Sequence, residues 1–266
     1  MSGAPDISWL ALASCFLLLL IPLTVATRLG LGLSRDLMIA VVRMTVQLVL
    51  AGLYLGYLFQ WDLPWLNVTW LVMMILAASA SVLHNSALNW CTFIGPAFLA
   101  LAIATLSIVL YLNAFVVRLD DLFQARYLIV LSGMLLGNCL SANIIAASRF
   151  YKAIDQNRST YEWRLGNGAS QKQALRPFLR ESLIAALRPG IASMMTIGLV
   201  SLPGMMTGQM LGGSDPSVAI KYQIAIMIAI FTCTTVSITL FFLFTSRVCF
   251  DPLGNLRTNA VFKKSA

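Results

Sequence analysis

Four methionine side chains around Pro203-Gly204 carry the most distinctive chemistry of this sequence. Thioether sulfur is a soft ligand that suits soft or borderline metal cations. Methionine also fills irregular gaps in apolar cores, so both interpretations stay open. The four candidate metal ligands are Met194, Met195, Met205 and Met206.

These methionines belong to segment 191–211, which is apolar enough to span a bilayer but is interrupted by Pro203-Gly204. Proline removes a backbone donor and glycine loosens a helix. Broken backbone at membrane depth is tolerated where it is buried in protein or lines a wet cavity. We therefore expect a hinge at Pro203 and Gly204, with Gln209 beyond it on a solute pathway.

The composition indicates an integral membrane protein. The 266 residues are 59% hydrophobic and only 11% charged, whereas soluble domains average about 25% charged residues. We expect a single transmembrane domain over residues 1–266, in the cell (inner) membrane as a multi-pass protein in contact with lipid. The net charge of +8 is explained by membrane topology, described next, so no nucleic-acid partner is expected.

Runs of about 20 apolar residues predict an all-α polytopic fold with seven transmembrane helices. With the N-terminus outside, most of the 18 Lys and Arg fall on the inside, which predicts an N-out, C-in orientation. No Lys or Arg precedes Arg28, so the first apolar run is not expected to be a signal peptide. The predicted spans are 7–27, 37–59, 64–83, 93–117, 127–147, 191–211 and 222–246.

Besides Gln209, three polar side chains inside the predicted spans are pathway candidates. Arg43 and Gln47 share one face of the second span, because residues four apart are neighbours on a helix. Arg43 could instead reach the headgroups or pair within the bundle. Asn138 lies in the fifth span beside a stripe of small residues.

Several function classes are disfavoured. No Asp or Glu falls inside a predicted span, although proton- and sodium-coupled carriers usually need one. Broken-helix carbonyls can also bind sodium, so this exclusion is partial. His84 is the sole histidine, the five cysteines form no CxxC pair, and no GxxxxGK[ST] motif occurs. We expect no enzyme activity and no cofactor in this chain.

The predicted cytoplasmic loop, 148–190, is long and basic. The fifth helix should continue into it, a new helix should begin at Pro177, and Pro189-Gly190 should interrupt the chain before the sixth span. A polar segment, 162–170, contains a glycine-bounded turn. A short helix presented there could dock in a groove of a partner, or the loop could simply be solvated.

The motif E-x-x-L-G-x-x-A-S at 162–170 resembles the coupling segment of ABC importer permeases. The string from Leu187 to Gly213, which includes SLPGMMTGQ, closely resembles the FetB-like permeases, which are assigned to iron export and related to plant aluminium-sensitivity membrane subunits. This resemblance covers essentially the whole chain. It implies that the ATPase-coupling residues are Glu162, Leu165, Gly166, Ala169 and Ser170.

The resemblance implies an ABC permease that exports iron, with roles in metal homeostasis and oxidative-stress resistance. Two copies of this chain would pair with two copies of a P-loop ATPase subunit, which would bind ATP and Mg. The alternatives are a self-sufficient secondary transporter or channel, an ABC permease for a nucleotide sugar or another metal, and a membrane scaffold.

Overall fold

A computed structural model describes residues 7–251, 254, 256 and 257. Over these residues the chain is helical, with two isolated β-bridges and no strand. A 3-10 turn, Phe16–Leu19, joins α1 to α2, and a π-helical turn, Leu112–Val117, extends α5. The helices are α1 (Trp9–Cys15), α2 (Leu20–Arg28), α3 (Ser34–Trp61), α4 (Pro64–Ser86), α5 (Trp90–Tyr111), α6 (Ala125–Gln156), α7 (Arg158–Gly166), α8 (Gln171–Thr196), α9 (Gly204–Leu211) and α10 (Pro216–Thr245).

Six stretches of helix within the described residues are long and apolar enough to cross a membrane. They agree with six of the predicted spans, and most of them extend beyond the predicted limits. Their bounds are Trp9–Arg28, Ser34–Trp61, Pro64–Ser86, Trp90–Val117, Ala125–Gln156 and Pro216–Thr245.

The remaining predicted span, 191–211, is not one helix. The chain does break in this segment, but the break begins at Ile197 and not at Pro203-Gly204. Gly198 adopts a φ of +88°, which suits glycine and ends the helical path. Pro203 is the N-cap residue of α9, so Pro203-Gly204 starts a short helix rather than bending a long one.

The predicted loop 148–190 is mostly helical. Helix α6 continues to Gln156 as expected, and α7 follows it. Helix α8 begins at Gln171, where Ser170 and Gln173 form a capping box, and not at Pro177. It also continues through Pro189-Gly190, because Ala186 and Leu187 pack against the core on α6 and α10. Tertiary packing therefore overrides the local helix-breaking signals here.

Helices α6 and α10 form the centre of the bundle, with α4, α5 and α8 packed around them. The first three helices are peripheral, and their apolar side chains are mostly exposed. Helix α3 meets the bundle only near its C-terminal end. There Leu58 packs against Ala125 and Ile129, and Tyr54 stacks on Trp70 with ring centroids 4.1 Å apart.

The two ends of the bundle differ in charge. At the end where α7 lies, here called the basic end, cations follow one another along α6, α7 and α8. At the opposite end, Asp62 Oδ1 accepts hydrogen bonds from Asn67 Nδ2 at 3.0 Å and from the Ala125 backbone N–H at 2.8 Å. Asp62 thereby ties together the C-terminus of α3 and the N-termini of α4 and α6.

Candidate functional site at the helix break

The helix break lies beside the middle of α6. Ser193 and Met194, near the end of α8, line the same cavity as Gly137 and Asn138 of α6. Beyond Thr196 the chain forms a tight turn, in which the Gly198 N–H donates to the Ser201 carbonyl at 2.9 Å. The tip of this turn is apolar, and Leu199 is 91% exposed.

A cavity of about 260 Å³ lies between α6, α8 and α10, next to this break. Its wall is mostly apolar, with neutral polar groups from Asn138, Ser141, Ser193 and Thr234. Two thioethers, from Met194 and Met227, lie on the same wall. No ionisable side chain lines this cavity, so a cation inside it would be held by neutral oxygen and sulfur atoms.

The structure separates the four methionines that the sequence suggested as metal ligands. Met194 lines the cavity, whereas its neighbour Met195 is 75% exposed and lies outside the lining. Met205 packs against the apolar core of α6 and α10, and Met206 is half-buried on α9. Met227 of α10, which the sequence analysis missed, lies on the cavity wall together with Met194. In the sequence, only its position on an apolar helix could have indicated that Met227 lies near the break.

The predicted pathway residues also separate. Asn138 lines the cavity, and its Nδ2 donates to the Met134 carbonyl at 2.8 Å. Arg43 and Gln47 are exposed on the peripheral helix α3, and Gln209 is half-buried on α9 outside the cavity lining. Of the predicted polar set, only Asn138 therefore lines the cavity at the break.

A buried polar seam joins α6 to α10 behind the cavity, and the sequence analysis missed it. Asn143 Nδ2 donates to Ser237 Oγ at 2.8 Å, and Cys139 Sγ lies 3.4 Å from Thr234 Oγ1. Thr234 also lines the cavity, so the seam and the cavity share a wall. Within the described ranges, no cluster of three or more His, Cys, Asp or Glu is placed to hold a metal ion.

The coupling segment at the basic end combines α7 with the turn that leads to α8. Glu162 pairs with Arg158 at 2.7 Å, and this contact raises the pKa of the guanidinium. Gly166 ends α7, and Ala169 and Ser170 precede α8 after Gly168, whose φ is +82°. Trp163, which was not predicted as a site residue, is 68% exposed on α7. Its signal was a large aromatic side chain in a polar, basic segment.

The chain after α10 returns to α7 and packs beneath it. Tyr161 Oη donates to the Gly254 carbonyl at 2.5 Å, and the Tyr161 ring lies 6.2 Å from that of Phe250. Leu165, one of the predicted coupling residues, lies next to Gly254 and packs against the core. Burial raises the pKa of Tyr161 to about 12, so its hydroxyl keeps its proton at neutral pH.

Residues 9–250 match the family model of UPF0014, an uncharacterised protein family. The chain belongs to the UPF0014 family. A UPF0014 membrane protein of Synechocystis is 36% identical over 210 residues, which cover 78% of this chain and 80% of the relative. UPF0014 relatives are named as membrane proteins, and together with the six long apolar helices this makes the chain a multi-pass membrane protein.

The resemblance to FetB-like permeases is confirmed. The "Probable iron export permease protein FetB" of Escherichia coli is 29% identical over 228 residues, covering 85% of this chain and 86% of the relative. "Protein ALUMINUM SENSITIVE 3" of Arabidopsis thaliana is 28% identical, covering 85% and 81%. No solved structure matches the chain.

Proposed function

We propose that this chain is the membrane subunit of an ABC transporter that exports iron and is driven by a separate P-loop ATPase. The observation that carries the proposal is the exposed Trp163 on the short helix α7. Buried aromatic anchors dominate the energetics of protein interfaces, and a single exposed tryptophan on a short helix fits a cleft in a partner. The iron export named for the FetB relative supports the cargo.

The distribution of charge supports the orientation. Cations concentrate at the basic end, and the positive-inside rule assigns that end to the cytoplasm. Helix α7 is then on the side where a soluble ATPase and its ATP and Mg are found. Segment α8–α9 counts as a broken seventh crossing, which gives seven spans with the N-terminus outside. Two copies of the chain and two ATPase subunits form the transporter.

The route from the ATPase to the cargo runs through α8. Ser170 and Gln173 cap the start of α8 directly after the coupling segment, and the other end of α8 is the helix break. A push on α7 is passed along α8, which is about 39 Å long at 1.5 Å per residue, to Thr196. The turn after Thr196 absorbs the motion, and the cavity beside it opens to one side of the membrane or to the other.

The neutral cavity favours a cation of low charge. A trivalent ion loses far more hydration energy than a divalent ion when it enters a site without carboxylates. Thioether ligands also prefer softer metal ions. We therefore propose Fe²⁺ as the cargo, held by Met194, Met227 and Asn138.

Co-purification with the ATPase tests the proposal. A tagged chain should retain a small P-loop ATPase encoded next to it, and Trp163→Ala should weaken that retention by about 30-fold, the effect of losing about 2 kcal/mol at an interface hot spot. Trp65→Ala is the matched control, because Trp65 is equally exposed but lies at the opposite end of the bundle. Retention that is absent, or equal in both variants, contradicts the proposal.

A further inference from the structure

A second cavity, of about 370 Å³, lies at the basic end between α6 and α8. Unlike the cavity at the break, it is lined by charged groups of both signs. Arg149 and Lys152 lie on α6, and Glu181 lies on α8. The buried Ser182, with Ser148 and Gln156, adds neutral hydrogen-bonding groups. We call this cavity the α6–α8 groove.

The opposite charges of the α6–α8 groove do not pair with each other. The ion pairs in the described part of the chain are Arg158–Glu162 and Arg257–Asp251, so Glu181 is beyond salt-bridge distance of both groove cations. Two cations and one carboxylate thus face a common space with a gap between them. All three charged side chains are exposed, and exposed charges of opposite sign that border one space without pairing suit a ligand that carries both signs.

The position of the groove along α6 is that of the membrane surface. Along α6, Arg126 and Arg149 enclose a stretch without any charged residue. The 23-residue separation corresponds to about 35 Å at 1.5 Å per residue, slightly more than the hydrocarbon core of about 30 Å. If Arg126 lies at one headgroup layer, Arg149 and the groove lie at the other. At that depth lipid headgroups are far more concentrated than any soluble anion.

We infer that the α6–α8 groove binds the headgroup of a phosphatidylethanolamine molecule. The phosphate is held by Arg149, whose fork of N–H donors matches two phosphate oxygens, and by Lys152. The primary ammonium donates to Glu181 and to the groove hydroxyls. Basic pockets between membrane helices on the cytoplasmic side are known lipid sites, and the carboxylate here selects a zwitterionic headgroup. This inference does not depend on the transport function.

Lipid retention by the purified full-length chain tests the inference. The chain is reconstituted in nanodiscs containing equal amounts of phosphatidylethanolamine, phosphatidylcholine and phosphatidylglycerol with identical acyl chains. Lipids that remain bound after transfer to detergent are counted by native mass spectrometry. We expect phosphatidylethanolamine to exceed each of the others by about tenfold, because only its headgroup donates N–H groups to a carboxylate and also offers a phosphate.

Two variants and one control separate the contributions of the groove cations and of Glu181 to lipid binding. Arg149→Gln with Lys152→Gln should abolish selective retention, whereas Glu181→Gln should keep lipid binding but remove the preference over phosphatidylglycerol. Arg180→Gln, a neighbour of Glu181 that does not line the groove, should behave as the wild type. A melting measurement confirms that each variant is folded. Equal retention of all three lipids by the wild type, unchanged retention in the double variant, or displacement by millimolar inorganic phosphate overturns the inference.

Discussion

Tyr161 on α7 donates a hydrogen bond of 2.5 Å to the carbonyl of Gly254, 93 residues later in the chain. Its ring also packs near Phe178 of α8 and Phe250 of the segment after α10. Helix α7 is therefore supported by the segment after α10 as well as by α6 and α8. That segment directly follows α10, and α10 contributes Met227 and Thr234 to the wall of the cavity at the helix break.

Replacing Tyr161 with phenylalanine should destabilise this junction. The Gly254 carbonyl would lose its donor in a buried position, which costs about 1 kcal/mol in the free energy of unfolding. Tyr57→Phe is the control, because Tyr57 is exposed on α3. Chemical denaturation in detergent measures the free energy of unfolding of both variants. The same loss in the two variants would show that the tyrosine hydroxyl at position 161 has no special role.

The pH dependence of this effect has a definite sign. The pKa of Tyr161 is about 12 in the folded state, above the unfolded value of about 10. The stabilisation is therefore complete below pH of about 10 and is lost as the pH rises towards about 12. The difference in unfolding free energy between wild type and Tyr161→Phe should stay constant from pH 7 to 9, by the same reasoning. A difference that changes across neutral pH would contradict the burial of this hydroxyl.

Met194 and Met195 should differ in their effect on metal transport. Leucine conserves the volume and removes the thioether, so Met194→Leu removes a thioether from the cavity wall while Met195→Leu changes an exposed side chain. In a complex with the proposed ATPase, Met194→Leu should reduce Fe²⁺-stimulated ATP hydrolysis by about tenfold, and Met195→Leu should not. Met227→Leu should resemble Met194→Leu. Equal activity of Met194→Leu and Met195→Leu would show that the cavity is not part of the transport pathway.

Among the glycines of the break, substitution of Gly198 by alanine should cause the largest loss of stability. Its φ of +88° is strained for any residue with a Cβ, so Gly198→Ala should cost about 1–3 kcal/mol although the space around it is open. Gly208→Ala is the control, because Gly208 lies within α9 and also has open space around it. There alanine should be neutral or stabilising by up to about 1 kcal/mol. Thermal unfolding of the two variants distinguishes these outcomes, and equal melting temperatures would argue against the observed turn.

The interaction energy between Asn143 and Ser237 in the seam between α6 and α10 can be measured by a double-mutant cycle. Asn143→Ala and Ser237→Ala each remove one partner of the 2.8 Å hydrogen bond. Interhelical hydrogen bonds in membrane proteins contribute about 0.6 kcal/mol on average, and we expect a coupling energy of at least this size. The free energy of unfolding is measured for the wild type, both single variants and the double variant. Additive effects would show that the two side chains do not interact.

The long helices could be predicted from the sequence because their signal is local. Each is an apolar run of the length that a bilayer requires, and Pro64, Asn89 and Asp215 mark helix starts by their own chemistry. The α8 region could not be predicted in the same way. Pro177 favours a helix start and Pro189-Gly190 an interruption, but Ala186 and Phe178 anchor a continuous α8 in the core, and this packing is visible only in three dimensions.

The site was only partly predictable for the same reason. The sequence located the broken segment through Pro203 and its methionines, but the break itself depends on Gly198. Met227 and Asn143 reach the region from α10 and α6, and nothing in their sequence neighbourhood distinguishes them from packing residues. Trp163 was recognisable in principle, since a large apolar side chain in a basic segment is unusual.

The central claim is that work enters this chain through α7 from an ATPase. The most direct measurement is Fe²⁺ transport by proteoliposomes that contain the chain together with its ATPase. We predict transport that requires ATP and both subunits and that is lost in Trp163→Ala. Transport of Fe²⁺ by the chain alone without ATP, or ATP-driven transport that is unchanged in Trp163→Ala, would contradict the account.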